Sequence, residues 1–565
     1  MKRRRIALGI HLGHDRGVAI VRDGLLVGQL AQERIDRRKH SPSPEIPYQA
    51  LDKLLRYLDL KPSDIGAVGF SYTNVRVEDA AKQFTDELRD HYKVRRWPIY
   101  PARHHDCHAL ATFYTSGFTE TLILVADGAG DIVGQRLEAE TLYRASVGEI
   151  RPIAQRLQHF GLTRTDRRNA FNYDYMHEVD RVKQISIGRK YEQITYLLGF
   201  SHGESGKTMG LASYGKSLFD FADIDVHDFN FSLTFADLLN DIAKLQQKSG
   251  LPFYRFVRER RADLAATVQL LAERHIVTLL RNINPIGKQR FLCLAGGLFL
   301  NCLLNHRILE QTRFERIHIF PAAGDDGQAV GAALHAYQEE FGAPCSSSET
   351  LPYLGIAYDK STIRKALCDF DVRHSYLPHA ELAERTASYL AAGATVGLFR
   401  GRSEVGPRAL CHRSILADPR RKSMRDHLNR RVKYRESFRP FGPVVTEEDQ
   451  FRFFELKQES PFMLLAANVR PEYHRRLAAI THVDGTARPQ AVSRKKDAFV
   501  HALLRAFERR TGYPVLLNTS FNLNDEPIVE TPRDALSTFL RSRLDVLVLE
   551  NALIVKPTSP EPSNQ

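Results

Sequence analysis

The feature that most constrains the fold of this chain is a plan that occurs twice. Residues 5–31 run strand, turn, strand, turn, strand, with His11-Leu12-Gly13-His14-Asp15 and Arg22-Asp23-Gly24 as the turns. Residues 121–147 repeat it: Thr121 to Ala126 is apolar, Asp127-Gly128-Ala129-Gly130-Asp131 turns, and Ile132 onward returns as a longer alternating hairpin. An acidic turn between two buried strands, met twice, predicts a duplicated domain.

Two lobes that each open with such a hairpin form the actin-like/sugar-kinase (ASKHA) architecture, an α/β fold that grips nucleotide phosphates between its lobes. Further on, apolar residues recur at helical spacing over 260–282, followed by a strand at Phe291 to Leu294, then Ala295-Gly296-Gly297 and a helix from about Asn301. Glycines where a strand becomes a helix let backbone N–H groups approach a nucleotide, although a plain tight turn needs them equally. Pro321 to Ala333 repeats the logic, with an acidic glycine turn leading into a helix of small residues that can pack closely. The Gly-, Pro- and Ser-containing stretch 340–352 reads as a linker. The expected domains are therefore 1–345, duplicated, and 346–556, a C-terminal α/β domain, with 557–565 a disordered Pro/Ser-rich tail.

With 80 Lys+Arg against 67 Asp+Glu the formal net charge is +13, which points to anionic partners. The short basic start runs into a strand rather than an apolar segment, and Phe291 to Leu300 is half the length of a bilayer span. A soluble, cytoplasmic protein is expected, with no membrane partner. The six cysteines lie far apart without a Cys-x-x-Cys pair, so free thiols are expected.

Chemistry concentrates first at His104-His105-Asp106-Cys107-His108. The i, i+4 spacing puts His104 and His108 one turn apart on one helix face, where two imidazoles can share a metal ion. The two acidic turns offer hard oxygen ligands, Asp127 and Asp325, with Asp326 competing for the second place. Mixed N/O ligation suits Fe(II) or Zn(II). Turn and helix capping would occupy Asp127 and Asp325 equally well.

A second constellation lies in the C-terminal domain: Arg402, Arg408 and Arg413 around Gly406-Pro407, then Lys433, Arg435 and Arg439, then Arg488, Asn518 and Asn522. Arginines fixed beside Gly and Pro turns are preorganised, and their planar forks suit phosphate and carboxylate oxygens. Arg420-Arg421-Lys422 reads instead as a solvated face. Near the start, His14 suits a general base, and Lys39 suits a phosphate contact.

These motifs together, from about residue 5 to 555, resemble the O-carbamoyltransferase family of nodulation-factor and antibiotic biosynthesis (tobramycin, cephamycin and novobiocin types). The resemblance is carried by Gly9-Ile10-x-x-Gly13-His14-Asp15, Glu33-Arg34 with Lys39-His40, His104 with His108, and Lys207-Thr208-Met209-Gly210-Leu211-Ala212-Ser213-Tyr214-Gly215. It continues through Ala295-Gly296-Gly297 with Asn301, Gly324-Asp325-Asp326-Gly327, Gly406-Pro407-Arg408-Ala409-Leu410 and Asn518-Thr519-Ser520-Phe521-Asn522. The N-terminal half is also similar to the universal tRNA threonylcarbamoyl transferase, and the C-terminal half to the threonylcarbamoyl-adenylate synthase fold.

The resemblance implies two steps. At the C-terminal site carbamoyl phosphate loses its phosphate, and the carbamate attacks ATP, with Mg(II), to give carbamoyl-adenylate and pyrophosphate. At the N-terminal, metal-bearing site a hydroxyl of a small-molecule acceptor attacks the carbamoyl carbon and AMP leaves. It implies metal ligation by His104, His108, Asp127 and Asp325, and an adenylate lining of Gly128, Gly130, Gly296, Gly297 and Asn301. Arg402, Arg408, Arg413, Lys433, Arg435, Arg439 and Arg488 face the phosphates, with Asn518 and Asn522 nearby. His14 orients or deprotonates the acceptor hydroxyl, and the acceptor pocket falls around Arg164 to Arg189. A homodimer is the candidate assembly. The chain departs from the family pattern at Cys411-His412 (usually Gly-Asn), Asp525 (usually Gly) and Gly442 (usually Ala), which bears on loop shape.

Three rivals are weaker. A tRNA-modifying threonylcarbamoyl transferase lacks a fused second domain. The hydrogenase-maturation carbamoyltransferase carries Cys-x-x-Cys zinc fingers and an acylphosphatase domain. A non-catalytic nucleotide- or nucleic-acid-binding protein would not need both the metal set and the arginine set.

Overall fold

The computed structural model describes residues 5–560 apart from 44, 74–76, 95–96, 160–184, 222–225, 227–228, 230–234 and 284–288. The chain forms two compact units, each discontinuous in sequence. The first comprises residues 1–13, 20–26 and 63–349, and the second 14–19, 27–62 and 350–565. The sequence reading placed a single cut at 345/346. Here the main cut falls at 349/350, and the segments carrying His14 and Lys39 group with the C-terminal part. Most of the expected acceptor loop, residues 164–184, lies outside the described residues.

The duplication is visible in the strand order. The first sheet runs β3 (Leu25–Ala31), β2 (Gly17–Arg22), β1 (Ile6–His11), β4 (Ala67–Ser71), β5 (Ile99–Pro101), with β2 and β3 continuing into segments of the second unit. β1, β4 and β5 pair in parallel. The second sheet is built from β6 (Glu120–Ala126), β7 (Ile132–Val133), β8 (Arg136–Ser146), β9 (Glu149–His159), β10 (Phe291–Ala295) and β11 (Arg316–Ile319). Here β8 and β9 form the antiparallel hairpin on one side of β6, while β10 and β11 lie parallel on the other. Hairpin, central strand and two parallel strands thus recur in the same order.

Small residues set how closely the layers approach. Gly9 of β1 and Gly69 of β4 are register partners. A Cβ on Gly9 would stand 1.9 Å from the Ala329 carbonyl oxygen, and one on Gly69 2.0 Å from that of Ala332. The helix Gln328–Phe341 therefore rests its Ala-rich face directly on strand backbone. Its Gly331 does the same to the neighbouring helix His104–Tyr114, where a Cβ would meet the Cys107 carbonyl oxygen at 2.1 Å. Real Cβ atoms do not approach that closely, so this contact fixes the height and rotation of the histidine helix.

The second unit is built on an eight-stranded mixed sheet made from β12 (Ser375–Tyr376), β13 (Val396–Phe399), β14 (Arg413–Ala417), β15 (Gly442–Thr446), and four later strands up to Ala552–Val555. Helices His379–Ala391 and Ala498–Thr511 cover one face through Leu382, Leu390, Val500, Leu503 and Phe507. Helices Lys360–Asp369 and Pro532–Arg541 cover the other, through Ile363, Leu367, Leu536 and Phe539. The expected disordered tail is held as far as Ser559, whose hydroxyl donates to the Asp545 carbonyl at 2.7 Å. Among the described residues no helix is long and apolar enough to cross a membrane, and all six cysteines are free.

Candidate metal centre

The helix His104–Tyr114 is buried almost throughout. The Asp131 carboxylate accepts the His104 backbone N–H at 2.7 Å, placing negative charge on an otherwise unpaired helix N-terminus. One turn apart, the His104 and His108 rings lie 4.9 Å between centroids. His105 points elsewhere, its Nδ1 2.7 Å from Thr141 Oγ1.

Asp127 arrives just past the end of β6, and Asp325 opens the turn before helix Gln328–Phe341. Asp127 Oδ2 lies 3.1 Å from His104 Nε2 and 3.2 Å from His108 Nε2. Asp325 Oδ1 lies 3.4 and 3.5 Å from the same two nitrogens. The four ligand atoms all fall within 4.8 Å of one another. Bonds of about 2.1 Å in a tetrahedron separate ligand atoms by about 3.4 Å, so the donor set fits a single small divalent cation. Asp325, and not Asp326, belongs to this set among the described residues.

Charge within the cluster is balanced but tightly held. Burial pulls the His104 imidazole down, yet the Asp325 and Asp127 carboxylates outweigh it and raise its pKa well above the ordinary value. Burial and Asp325 push Asp127 up, and hydrogen bonds from His104 and His108 overcome both, so its carboxyl ends far below the usual range. A cation held by these atoms replaces the protons that otherwise screen two carboxylates from each other.

The glycines expected near the adenylate, and Asn301, have hydrogen-bond partners within the protein. The Gly128 and Gly297 N–H groups donate to Asp127 Oδ1 at 2.7 and 3.3 Å. That of Gly130 donates to Glu138 O, and that of Gly296 to Ala323 O. Gly296 also has φ +100°, and a Cβ there would stand 2.2 Å from Ala126 O. These N–H groups orient a carboxylate and close the backbone. Gly128 alone has open space where a Cβ would be. Asn301 caps helix Cys302–Gln311 through Leu304 N and pairs with Gln269 at both ends of its amide, which occupies it within the protein.

The arginine set divides in the same manner. Arg413 is fully buried and donates to the carbonyls of Arg400, Gly401, His412 and Ile356, with its guanidinium 3.7 Å over Phe399. Arg402 donates to the carbonyls of Val27, Leu354 and Gly355. Buried Lys433 binds Ser520 and Asn522, the latter through carbonyl and side-chain oxygens. Asn518 donates to Ala409 O and Gln490 Oε1, and Asn522 to Glu526 O. All five of these residues are held by hydrogen bonds within the protein.

Lys433 also stands among other cations, of which Arg435 donates to Asn429 Oδ1 at 2.8 Å and Arg439 lies 3.8 Å from Glu436. Burial, then Arg435, Arg439 and Lys39, push the Lys433 amine well below its ordinary value. Burial, then Arg439 and Arg488, do the same to Arg435, which stacks on Phe441 at 4.4 Å. The buried Nε of Arg488 has no hydrogen-bond partner among the described residues. An anion would relieve this group. Arg408 is half-buried on its loop, and Lys39 is exposed.

His14 Nδ1 lies 2.9 Å from Asp15 Oδ2, and His40 Nδ1 lies 2.7 Å from Asp15 Oδ1, so one carboxylate orients two imidazoles. Asp15, His40 and Ser41 all have positive φ, and Arg16 fastens the turn through Ser41 O, Ser41 Oγ and Glu45 O. Positive φ at three non-glycine residues is strain that the surrounding hydrogen bonds hold in place. The loop departures are also explained. Cys411 (φ +76°) and Asp525 (φ +61°) keep the left-handed conformation that favours glycine there. At Gly442 a Cβ would stand 2.7 Å from Arg488 O.

Comparison with known proteins gives the identity. The family described as Carbamoyltransferase N-terminus matches residues 71–334, and Carbamoyltransferase C-terminus matches 387–556. The chain is 34% identical to Nodulation protein NolNO of Sinorhizobium fredii, over 97% of this chain and 80% of that one. It is 33% identical to 3'-hydroxymethylcephem-O-carbamoyltransferase of Amycolatopsis lactamdurans, over 59% of this chain and 61% of that one. Full-length HypF, solved with phosphate and nucleotide, overlays at a TM-score of 0.42 and 15% identity, covering 60% of this chain and 56% of that one. This likeness is too distant to say more of the molecule. By the family matches and the identity with NolNO over most of both chains, the protein belongs to the carbamoyltransferase family.

Proposed function

We propose that the protein is an ATP-dependent O-carbamoyltransferase that works in two half-reactions. In the second unit, water hydrolyses carbamoyl phosphate to carbamate and phosphate, and the carbamate attacks the α-phosphorus of ATP to give carbamoyl-adenylate and pyrophosphate. In the first unit, which we read as actin-like, a hydroxyl of a small-molecule acceptor attacks the carbamoyl carbon and AMP leaves.

The observation that carries this reading is the convergence of His104, His108, Asp127 and Asp325 at separations of 3.1 to 3.5 Å. These four residues hold Fe(II) or Zn(II). Such an ion supplies Lewis acidity for negative charge developing on oxygen. Gly128 leaves room beside Asp127 for the adenylate. Arg408, Arg435, Arg439, Arg488 and Lys39 take the phosphate oxygens, each charge-assisted bond contributing about 1.5–3 kcal/mol. His14, with one imidazole nitrogen held by Asp15, groups with the second unit and suits a general base there. Nothing in the described residues names the acceptor beyond its hydroxyl.

The test is carbamoyl-phosphate-dependent ATP–pyrophosphate exchange on the wild type, Arg408→Ala and His108→Ala. Wild type exchanges, His108→Ala exchanges undiminished, and Arg408→Ala falls by about 10- to 100-fold, the loss of one charge-assisted contact. Absence of exchange in the wild type would refute the adenylate route.

A further inference from the structure

We infer that Thr73 is the positioning residue of the metal centre. Its single hydroxyl orients two ligands from different elements, His104 and Asp325, and decides which nitrogen of His104 carries the proton. The inference rests on the proposed binding of an ion at this site.

Thr73 is buried two residues beyond the end of β4. Its Oγ1 lies 2.9 Å from Asp325 Oδ2 and 3.4 Å from His104 Nδ1. An ionised carboxylate only accepts, so the hydroxyl hydrogen goes to Asp325. The hydroxyl oxygen is then left as an acceptor, and what it faces is His104 Nδ1. That nitrogen then carries the N–H, and when an ion is bound Nε2 is the nitrogen that offers it a lone pair. Nε2 is the atom aimed at Asp127 Oδ2 and Asp325 Oδ1, which is the form of imidazole that binds a metal.

The two carboxylates are held on one plan by different means. Each has one oxygen tied back and presents the other to the histidines. For Asp127 the tied oxygen is Oδ1, held by the backbone N–H groups of Gly128 and Gly297. For Asp325 it is Oδ2, held by the Thr73 side chain. A further chain secures the end of β4 beside it. Gln328 donates through Nε2 to His104 O and accepts the Ser71 hydroxyl on Oε1, and Ser71 lies 2.8 Å from His11 Nδ1. Backbone donors cannot be removed by substitution, but the hydroxyl of Thr73 can, with little change of shape.

The experiment uses the full chain stripped of metal, titrated with Zn(II) against a chromophoric chelator, and with Co(II) for its visible spectrum. Thr73→Val keeps the volume and removes the hydroxyl, while Thr73→Ser keeps the hydroxyl. By the usual cost of losing an outer partner, Thr73→Val should raise the Zn(II) Kd about 10- to 100-fold, while Thr73→Ser stays within about 3-fold of wild type. The Co(II) spectrum should shift in Thr73→Val alone, while the thermal melt of the full chain stays as in wild type and shows that both units are folded. A Thr73→Val Kd equal to wild type, or Thr73→Ser weakened as much as Thr73→Val, overturns the inference. Wild type binding Zn(II) no better than His108→Ala would instead refute the ion site itself, and the inference with it.

Discussion

The histidine cluster of the first unit and the arginine-rich loops of the second solve the burial of charge in opposite ways. In the cluster, two carboxylates face two imidazoles, with the four ligand atoms within 4.8 Å of one another. In the loops, burial with Arg435, Arg439 and Lys39 lowers the pKa of Lys433, and burial with Arg439 and Arg488 lowers that of Arg435. The first arrangement fits a cation, and the second needs an anion. The difference also teaches how far residue type reports role. A buried carboxylate–imidazole group has few uses besides metal or proton handling. An arginine beside a glycine turn is surrounded by loop carbonyls that accept its N–H groups as readily as phosphate does.

The widest break in this comparison separates the two kinds of arginine. Arg413→Ala removes the donor to four backbone carbonyls, and should destabilise the second unit by about 3–5 kcal/mol in chemical denaturation, because buried acceptors are left unpaired. Arg439→Ala should leave stability within about 0.5 kcal/mol. Its effect falls on ATP–pyrophosphate exchange, expected to drop about 10- to 100-fold by loss of one charge-assisted contact. Equal effects of the two substitutions on both readouts would show that the division drawn here is wrong.

Gly331→Ala probes the packing that aims the histidines. Its Cβ would stand 2.1 Å from the Cys107 carbonyl oxygen, and an overpacking cost of about 1–3 kcal/mol is expected in thermal melts. Displacing helix His104–Tyr114 should weaken Zn(II) binding as well, which an ordinary core substitution in the second unit would not do.

The smallest effect concerns pH. Asp497 is held below the usual carboxylate range: burial opposes ionisation, but His412, 3.2 Å away, and the start of helix Ala498–Thr511 outweigh it. A carboxyl lowered on folding stabilises above its unfolded pKa of about 3.9, and that stability is lost as pH falls through the folded value. Asp497→Asn keeps the helix cap and removes the charge. The variant should be less stable than wild type by about 1 kcal/mol at pH 7, and the gap should close as pH falls below about 3.9 and through the folded value. A gap independent of pH would mean that the charge is immaterial.

Much of the first unit was legible in the sequence, because strand alternation and the i, i+4 histidine spacing are local signals. Asp127 and Asp325 were found through the repeated acidic turns that the two β-sheets share. Thr73 was not, since a threonine after a strand has no local signature and its partner Asp325 lies 252 residues away. The place of residues 27–62 was equally hidden. Arg34 reaches the Gly406 carbonyl, and Arg37 those of Pro527 and Ile528, across 372, 490 and 491 residues. The carbonyl partners of Arg402, Arg413 and Lys433 were hidden for a third reason: motif chemistry names a suitable ligand without counting the carbonyls already in reach.

The most direct test of the account is the metal content of purified wild type and of His108→Ala/Asp127→Ala, measured by elemental analysis alongside ATP–pyrophosphate exchange on the same samples. The account predicts about one equivalent of iron or zinc in the wild type, none in the double variant, and equal exchange in both. Metal retained by the double variant, or exchange lost together with the metal, would contradict it.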